Sequence, residues 1–154
     1  MQTKYKIRQA LPEDEKEVLK IAREVTDKIT ITYLGDEAVD WYINSGCCDE
    51  DIKNDISNML LLIMDEKIIG MMIWHCDLMH LLMIDSLYHG TGAAKYFCDE
   101  IIPEKLKEFK EIRLECFDKN ERANAFYKKT GWIEYDIIPD EMTGGNRVLY
   151  MMVE

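Results

Sequence analysis

Residues 59–94 constrain the fold of this chain more than any other stretch. Two apolar runs, residues 59–64 and 68–74, flank a short polar turn, and a third apolar run covers residues 78–87. Glycines and small residues follow, and then apolar positions return at helical spacing. Short apolar runs bounded by turn residues are typical of buried strands, and a strand that leads through glycines into a helix is typical of α/β proteins. The stretch therefore predicts three adjacent core strands followed by a helix.

The sequence before these strands predicts one strand and two or three helices. Residues 5–10 alternate at strand spacing, and Pro12 with the acidic residues after it marks the start of a helix. A second helix is expected from Asp36 to about Ser45, and residues 49–59 indicate a less regular third one.

The sequence after the glycines predicts a helix, a strand, a helix and a hairpin. Pro103 is expected to kink the first of these helices. Residues 111–117 are typical of a strand, and Gly131 is expected to end the second helix. Residues 132–138 and 147–153 predict the terminal hairpin. With no internal repeat and no linker, we expect one mixed α/β domain over residues 1–154.

Composition excludes several classes of protein. The net charge of −11 disfavours nucleic acid as a partner, because affinity for phosphate backbones depends on clustered Lys and Arg. Five cysteines without a C-x-x-C pair fit neither a disulfide framework nor a zinc ribbon, which favours a cytoplasmic protein. The most apolar stretch, residues 68–84, is interrupted by polar residues, so no membrane span and no secretory signal are expected.

The segment His89-Gly90-Thr91-Gly92-Ala93-Ala94 has the features of a phosphate-binding loop. Glycines let the backbone approach an anion, and the unpaired N–H groups of a helix start point toward it. A tight turn without any ligand explains the same residues equally well. A dinucleotide or methyltransferase unit, with Glu115 as its acidic residue, is disfavoured because too few strands follow.

A second motif decides between these readings. The segment from Asn120 to Trp132, NERANAFYKKTGW, resembles the N-x-x-A-x-x-F-Y-x-K-x-G-F pattern of GCN5-related N-acetyltransferases, with Trp132 in the place of Phe. The loop resembles the family's Q/R-x-x-G-x-G/A pattern as His89-x-x-Gly92-x-Ala94, with His in the place of Gln or Arg. The resemblance implies a GNAT fold: a single mixed, mostly antiparallel twisted sheet of about seven strands, with flanking helices and a V-shaped splay between strands 4 and 5.

The resemblance also implies acetyl-coenzyme A as cosubstrate, bound in the splay, with Tyr127 as the general acid. A phenol suits this role because it keeps its proton at neutral pH and can give it to a departing thiolate. The matching cofactor-binding positions are Leu82, Met83 and Ile84 on the strand, His89, Gly90, Thr91, Gly92, Ala93, Ala94 and Lys95 at the loop and helix, and Asn120 and Tyr127 at the next helix.

The sequence predicts the general base and the acceptor site less specifically than the cofactor positions. His80 and Glu115 are candidate bases, since either could accept the proton that the attacking amine loses. An acceptor pocket is predicted from Tyr33, Trp41, Tyr42 and Trp74, although these aromatics suit a core equally well. The cluster around His75 and Cys76 matches no standard zinc or iron spacing, so no metal is expected.

The sequence thus predicts an N-acetyltransferase that transfers an acetyl group from acetyl-coenzyme A to a primary amine by direct attack in a ternary complex. The acceptor is expected to be a small-molecule or peptide amine, and the acidic composition favours a cationic one. The alternative is a non-catalytic sensor or partner module that binds acyl-coenzyme A. Methionines and an apolar hairpin are compatible with either a monomer or a homodimer.

Overall fold

The computed structural model describes residues 4–141 and 143–154. In these residues a seven-stranded sheet has the order β1-β2-β3-β4-β5-β7-β6. Every neighbouring pair is antiparallel except β4 and β5, which are parallel. The strands are β1 Tyr5–Gln9, β2 Met59–Met64, β3 Lys67–His75, β4 Leu78–Ile84, β5 Glu111–Phe117, β6 Ile133–Pro139 and β7 Asn146–Val153. The predicted mixed and mostly antiparallel sheet is confirmed.

Six α-helices accompany this sheet in the described residues: α1 Glu15–Val25, α2 Ile31–Leu34, α3 Asp36–Asn44, α4 Cys47–Asn54, α5 Ala93–Phe109 and α6 Glu121–Lys129. The sequence left residues 26–34 unassigned, and they form a π-helical turn and α2. The third predicted helix lies earlier than expected, because Gly46 adopts a left-handed conformation that starts α4. Helix α5 continues through Pro103 to Phe109. None of these helices is both long and apolar enough to span a bilayer.

The sheet separates two apolar cores. Helix α1 buries Val18, Ile21 and Val25 against one face, together with α4 and the alternate residues of β2 and β3. Helix α5 buries Phe97 on the opposite face, where Tyr150 of β7 is also fully buried. Below, these two sides of the sheet are called the α1 face and the α5 face.

The parallel strands β4 and β5 separate after two residue pairs. Leu78 pairs with Arg113 and Met79 pairs with Leu114, and no pairing follows. Beyond this point β4 remains paired with β3 through Ile84, while β5 remains paired with β7 through Phe117. The predicted splay between the fourth and fifth strands is therefore confirmed, and its apex lies just after Met79 and Leu114.

The buried thiols of Cys98 and Cys116 lead to a prediction about alkaline stability. The two residues are 5% and 7% exposed, and burial raises the pKa of each thiol to about 12. In the unfolded chain these thiols ionise near their ordinary pKa of 9.0, so the unfolded state releases protons first. We expect the free energy of unfolding, measured in urea, to fall between about pH 9 and pH 12 by up to roughly 1.4 kcal/mol per pH unit for each thiol.

Alkylation of the folded protein at about pH 8 provides the matching check. The exposed Cys76 is expected to react, while Cys98 and Cys116 react only after unfolding. Replacing Cys116 with Val should remove the contribution of this thiol to the alkaline decrease in the free energy of unfolding. An unfolding free energy that stays constant through this pH range would contradict the prediction.

Candidate functional site

The apex of the splay brings together the two candidate bases predicted from sequence. His80 and Glu115 are the residues that immediately follow the last paired positions, Met79 on β4 and Leu114 on β5. Both side chains are exposed, whereas Met79 and Leu114 are buried in the α5-face core. A group placed at the apex would therefore lie next to an imidazole and a carboxylate.

His80 occupies a bulge that fixes its direction. Ile73 pairs with Leu81 and Trp74 pairs with Met79, so His80 is the extra residue of β4. Its ring stacks on the ring of His75 with centroids 4.5 Å apart. His75 in turn places its Nε2 2.6 Å from Oδ1 of Asp55, which follows α4. This stack places His80 on the α1 face, and its ring has no hydrogen-bond partner in the part of the chain that the structure describes.

Glu115 is already engaged by a cation. Its Oε1 lies 3.3 Å from a guanidinium nitrogen of Arg147 on β7, and the Nε of Arg147 lies 3.1 Å from Asp140. The same guanidinium lies over the ring of Phe117, 5.4 Å from its centroid. Glu115 thus belongs to a charged group on the exposed side of β5 and β7.

The loop after β4 presents a row of free backbone amides. Gly90 and Gly92 have φ angles of 77° and 87°, values that favour glycine. The N–H groups of residues 90–95 have no acceptor among the described residues, and the next amide, that of Tyr96, bonds to the carbonyl of Gly92. A Cβ added at either glycine would meet nothing within 4 Å. Open space, free donors and the start of the long helix α5 together form a cradle for an anion.

Other predicted cofactor positions lie on the elements that flank this cradle in the chain. Leu82, Met83 and Ile84 form the end of β4 beyond the apex, where β5 no longer pairs with them, so this edge of β4 is open to a ligand. Lys95, in the first turn of α5, holds its ammonium 2.5 Å from Asp99.

His89 connects the loop to α6. Its Nε2 lies 2.7 Å from the carbonyl oxygen of Ile84, and its Nδ1 lies 3.0 Å from a guanidinium nitrogen of Arg122. Since a carbonyl oxygen only accepts and a guanidinium only donates, the ring is the neutral tautomer with its proton on Nε2. His89 therefore joins the end of β4 to the start of α6 across the open end of the splay.

Tyr127 lies on the α5 face within an aromatic cluster that includes Phe126, Trp132 and Tyr150. It is 8% exposed, and burial raises the pKa of its phenol, with a smaller contribution from Cys116. Its hydroxyl has no partner among the described residues. Within that part of the chain, the indole nitrogen of Trp74 is the one fully buried side-chain polar atom without a partner, so the Tyr127 hydroxyl keeps some contact with solvent. The hydroxyl is therefore protonated and free to bond a ligand.

Two asparagines fix the start of α6 beside Tyr127. Asn120 caps the helix, because its Oδ1 accepts from the N–H of Ala123 at 3.3 Å. Asn124 donates from Nδ2 to the carbonyls of Phe117 and Asn120, both at 2.9 Å, and accepts from the hydroxyl of Tyr150 at 2.6 Å. Asn124 thus ties β5, α6 and β7 together. Sequence reasoning missed this residue, although its position one turn after Asn120 was a usable signal.

The four predicted acceptor residues do not form one pocket. Tyr33 packs 6.3 Å from the ring of Phe117 at the end of β5, beside a cavity of about 10 Å³, which is room for about one water molecule. Trp41 is 55% exposed on α3, and the hydroxyl of Tyr42 bonds to Asp51. Trp74 is buried on the opposite, α5 face, with the ammonium of Lys105 over its ring. Trp74 shares this face with Met72, because side chains alternate along β3 and Ile73 lies on the α1 face.

The cluster around His75 does not form a metal centre in the described residues. No three His, Cys, Asp or Glu side chains among residues 4–141 and 143–154 are arranged to hold a metal ion. His75 and His80 stack ring on ring, and Nε2 of His75 is engaged by Asp55.

A parallel strand pair that separates beside a cradle of free amides, within a mostly antiparallel sheet, defines the class of GCN5-related acetyltransferase domains. The sequence comparison agrees, since the family model described as "Acetyltransferase (GNAT) domain" matches residues 20–152. The chain belongs to this family. No curated protein matches the sequence significantly.

Solved structures share the fold at low sequence identity. The PaiA N-acetyltransferase from Thermoplasma acidophilum, in complex with coenzyme A, is 20% identical with a TM-score of 0.80, over 97% of this chain and 99% of that one. The self-immunity acetyltransferase MccE, in complex with acetyl-CoA and AMP, is 13% identical with a TM-score of 0.74, over 99% and 94%. A GCN5-related N-acetyltransferase from Rhodopseudomonas palustris is 14% identical with a TM-score of 0.81, over 100% and 98%.

Proposed function

We propose that this protein transfers an acetyl group from acetyl-coenzyme A to a primary amine by direct attack within a ternary complex. The observation that carries the proposal is the splay of β4 and β5, with free amides at its open end and His80 and Glu115 next to its apex. Tyr127 packs against Tyr150, which pairs with Leu114 at the apex. Family membership supports acetyl transfer, and PaiA and MccE are examples in which coenzyme A or acetyl-coenzyme A is bound.

The cosubstrate fits the splay as an extended ligand. Its pantetheine arm, which carries amides, would pair with the free edge of β4 at Leu82, Met83 and Ile84. Its diphosphate would lie in the cradle of free amides at residues 90–95, where α5 begins with Lys95 in its first turn, and Asn120 at the start of α6 would contact the cosubstrate from the next helix. This arrangement would direct the thioester toward the apex of the splay.

The reaction needs one proton acceptor and one proton donor. The neutral amine attacks the thioester carbonyl carbon, and its surplus proton passes to His80 or Glu115 on the α1 face. The carbon–sulfur bond then breaks, and the leaving sulfur takes the proton of the Tyr127 hydroxyl from the α5 face. Burial, which raises the pKa of this phenol, also disfavours an ionised thiolate beside it, so the same environment favours protonation of the leaving sulfur. Solvent at the hydroxyl returns the proton to Tyr127.

We propose a cationic acceptor, a small molecule or a peptide amine. Helices α3 and α4 carry several carboxylates on the α1 face, and the chain has a net charge of −11. Such a field attracts cations and weakens as salt is added. The acidic residues on these helices are Asp36, Glu37, Asp40, Asp49, Glu50 and Asp51.

An assay of thiol release from acetyl-coenzyme A with a panel of amines tests the function. We expect release with at least one amine class, and for diamines and polyamines we expect kcat/KM to fall several-fold between about 0.05 and 0.5 M salt, mainly through KM. Neutral or anionic amines serve as controls, since their rates should change little. Coenzyme A binding without release for any amine would favour the sensor module, and rates independent of salt would contradict a cationic acceptor.

A further inference from the structure

Arg122 differs from every other arginine in the described part of the chain because it has no carboxylate partner. Its guanidinium is exposed in the first turn of α6 and donates to a neutral imidazole, that of His89. The remaining arginines pair with acidic side chains: Arg8 with Asp14, Arg23 with Asp49, Arg113 with Glu111, and Arg147 with Glu115 and Asp140. In a chain with 30 acidic residues and 19 basic ones, this cation keeps its full charge.

The hydrogen bond to His89 fixes the guanidinium without neutralising it. The ring is itself fixed by the carbonyl of Ile84, 2.7 Å from Nε2. One Arg122 nitrogen is used at 3.0 Å, and the other donors of the guanidinium have no partner among the described residues. A carboxylate in the place of His89 would hold the arginine equally well but would cancel its charge.

We propose that Arg122, positioned by His89, binds the diphosphate of coenzyme A together with the free amides of residues 90–95. The assignment rests on the proposed coenzyme A site. His89 directly precedes those amides, so the guanidinium lies beside the cradle. A guanidinium matches two phosphate oxygens with parallel N–H groups, and charge-assisted bonds of this kind are stronger than those from neutral amides. His89 is a positioning residue that acts through Arg122.

The first test compares coenzyme A binding by calorimetry in Arg122→Gln and Lys128→Gln. Both substitutions remove one positive charge from α6, but Lys128 lies in its last turn, with its ammonium 3.7 Å from Glu134. We expect Arg122→Gln to weaken binding about ten- to hundredfold, Arg122→Lys to weaken it less, and Lys128→Gln to change it less than about twofold. The thermal stability of the free variants should be unchanged, because Arg122 is exposed. Equal affinities for the two glutamine variants would overturn the proposal.

Ligands that lack one or all of the phosphate groups of coenzyme A identify the contact. Arg122→Gln should weaken the binding of 3′-dephospho-coenzyme A by the same factor as the binding of coenzyme A, because the diphosphate is still present. With S-acetylpantetheine, which has no phosphate, the KM of Arg122→Gln should equal that of the unaltered protein. A loss of affinity seen with coenzyme A but not with 3′-dephospho-coenzyme A would assign Arg122 to the 3′-phosphate and overturn the proposal.

A double-mutant cycle tests the role of His89. His89→Leu frees the guanidinium and is expected to weaken coenzyme A binding about three- to tenfold, but to have no effect in the Arg122→Gln background. His89→Gln, which retains a donor and an acceptor, should bind nearly as well as the unaltered protein. Independent, additive effects of the two residues would contradict positioning. If the unaltered protein fails to bind coenzyme A, the proposed function fails; if it binds and Arg122→Gln binds as well, only the role of Arg122 fails.

Discussion

Replacement of Tyr127 with Phe is expected to lower kcat by about 10²- to 10⁴-fold while the Kd for coenzyme A changes little. The substitution removes the hydroxyl proposed to protonate the leaving sulfur, and it preserves the ring that packs against Trp132 and Tyr150. Steady-state kinetics by thiol release, together with calorimetry of coenzyme A binding, separate the two quantities. Because burial raises the pKa of Tyr127, the alkaline limb of the wild-type pH profile should not originate from this residue below about pH 10.

Tyr150→Phe is the matched control for Tyr127→Phe. Tyr150 belongs to the same aromatic cluster, 5.8 Å from Tyr127, but its hydroxyl bonds to Asn124 at 2.6 Å. We expect Tyr150→Phe to lose about 1 kcal/mol of unfolding free energy and to retain kcat within a few-fold. Equal loss of kcat in both variants would mean that packing, and not the Tyr127 hydroxyl, supports turnover.

Patterns within contiguous segments predicted most of the fold. Apolar runs and glycines located β2, β3, β4 and the loop before α5, because burial and backbone conformation depend on residue type at each position. The splay was predicted only from the family resemblance, since no local sequence pattern distinguishes two parallel strands that separate from two that remain paired. The structure shows that the separation begins after Met79 and Leu114.

Contacts between distant segments could not be predicted in this way. The pairing of His89 with Arg122 joins positions 33 residues apart and depends on how α6 approaches the loop. The face of Trp74 could not be assigned from sequence either, because alternation along β3 separates Trp74 from Ile73 but does not show which of the two faces α1. A single sequence specifies which residues are available for a site, but the bulge and the helix packing decide which of them meet.

Replacement of His80 with Gln is expected to lower kcat/KM at about pH 7 by roughly 10²-fold, and Glu115→Gln to lower it much less. Both residues flank the apex of the splay, but the carboxylate of Glu115 lies 3.3 Å from Arg147, whereas the ring of His80 has no hydrogen-bond partner among the described residues. An imidazole exchanges protons near neutral pH, so it can accept the proton of the attacking amine and release it to water. Gln keeps the polarity of the side chain and cannot accept that proton.

The pH profile distinguishes a base from a residue that only shapes the site. A protonated imidazole cannot accept the amine proton, so wild-type kcat/KM should fall as the pH decreases, and in His80→Gln this acidic limb should flatten. His75 and Asp55 lie beside His80, and His75→Phe is the matched control because it preserves an aromatic ring under the stack and removes the bond to Asp55. We expect His75→Phe to retain the acidic limb with a modest loss of rate. The contrary result is an acidic limb that persists in His80→Gln and disappears in Glu115→Gln. It would assign proton acceptance to the carboxylate of Glu115, with Arg147 as its partner.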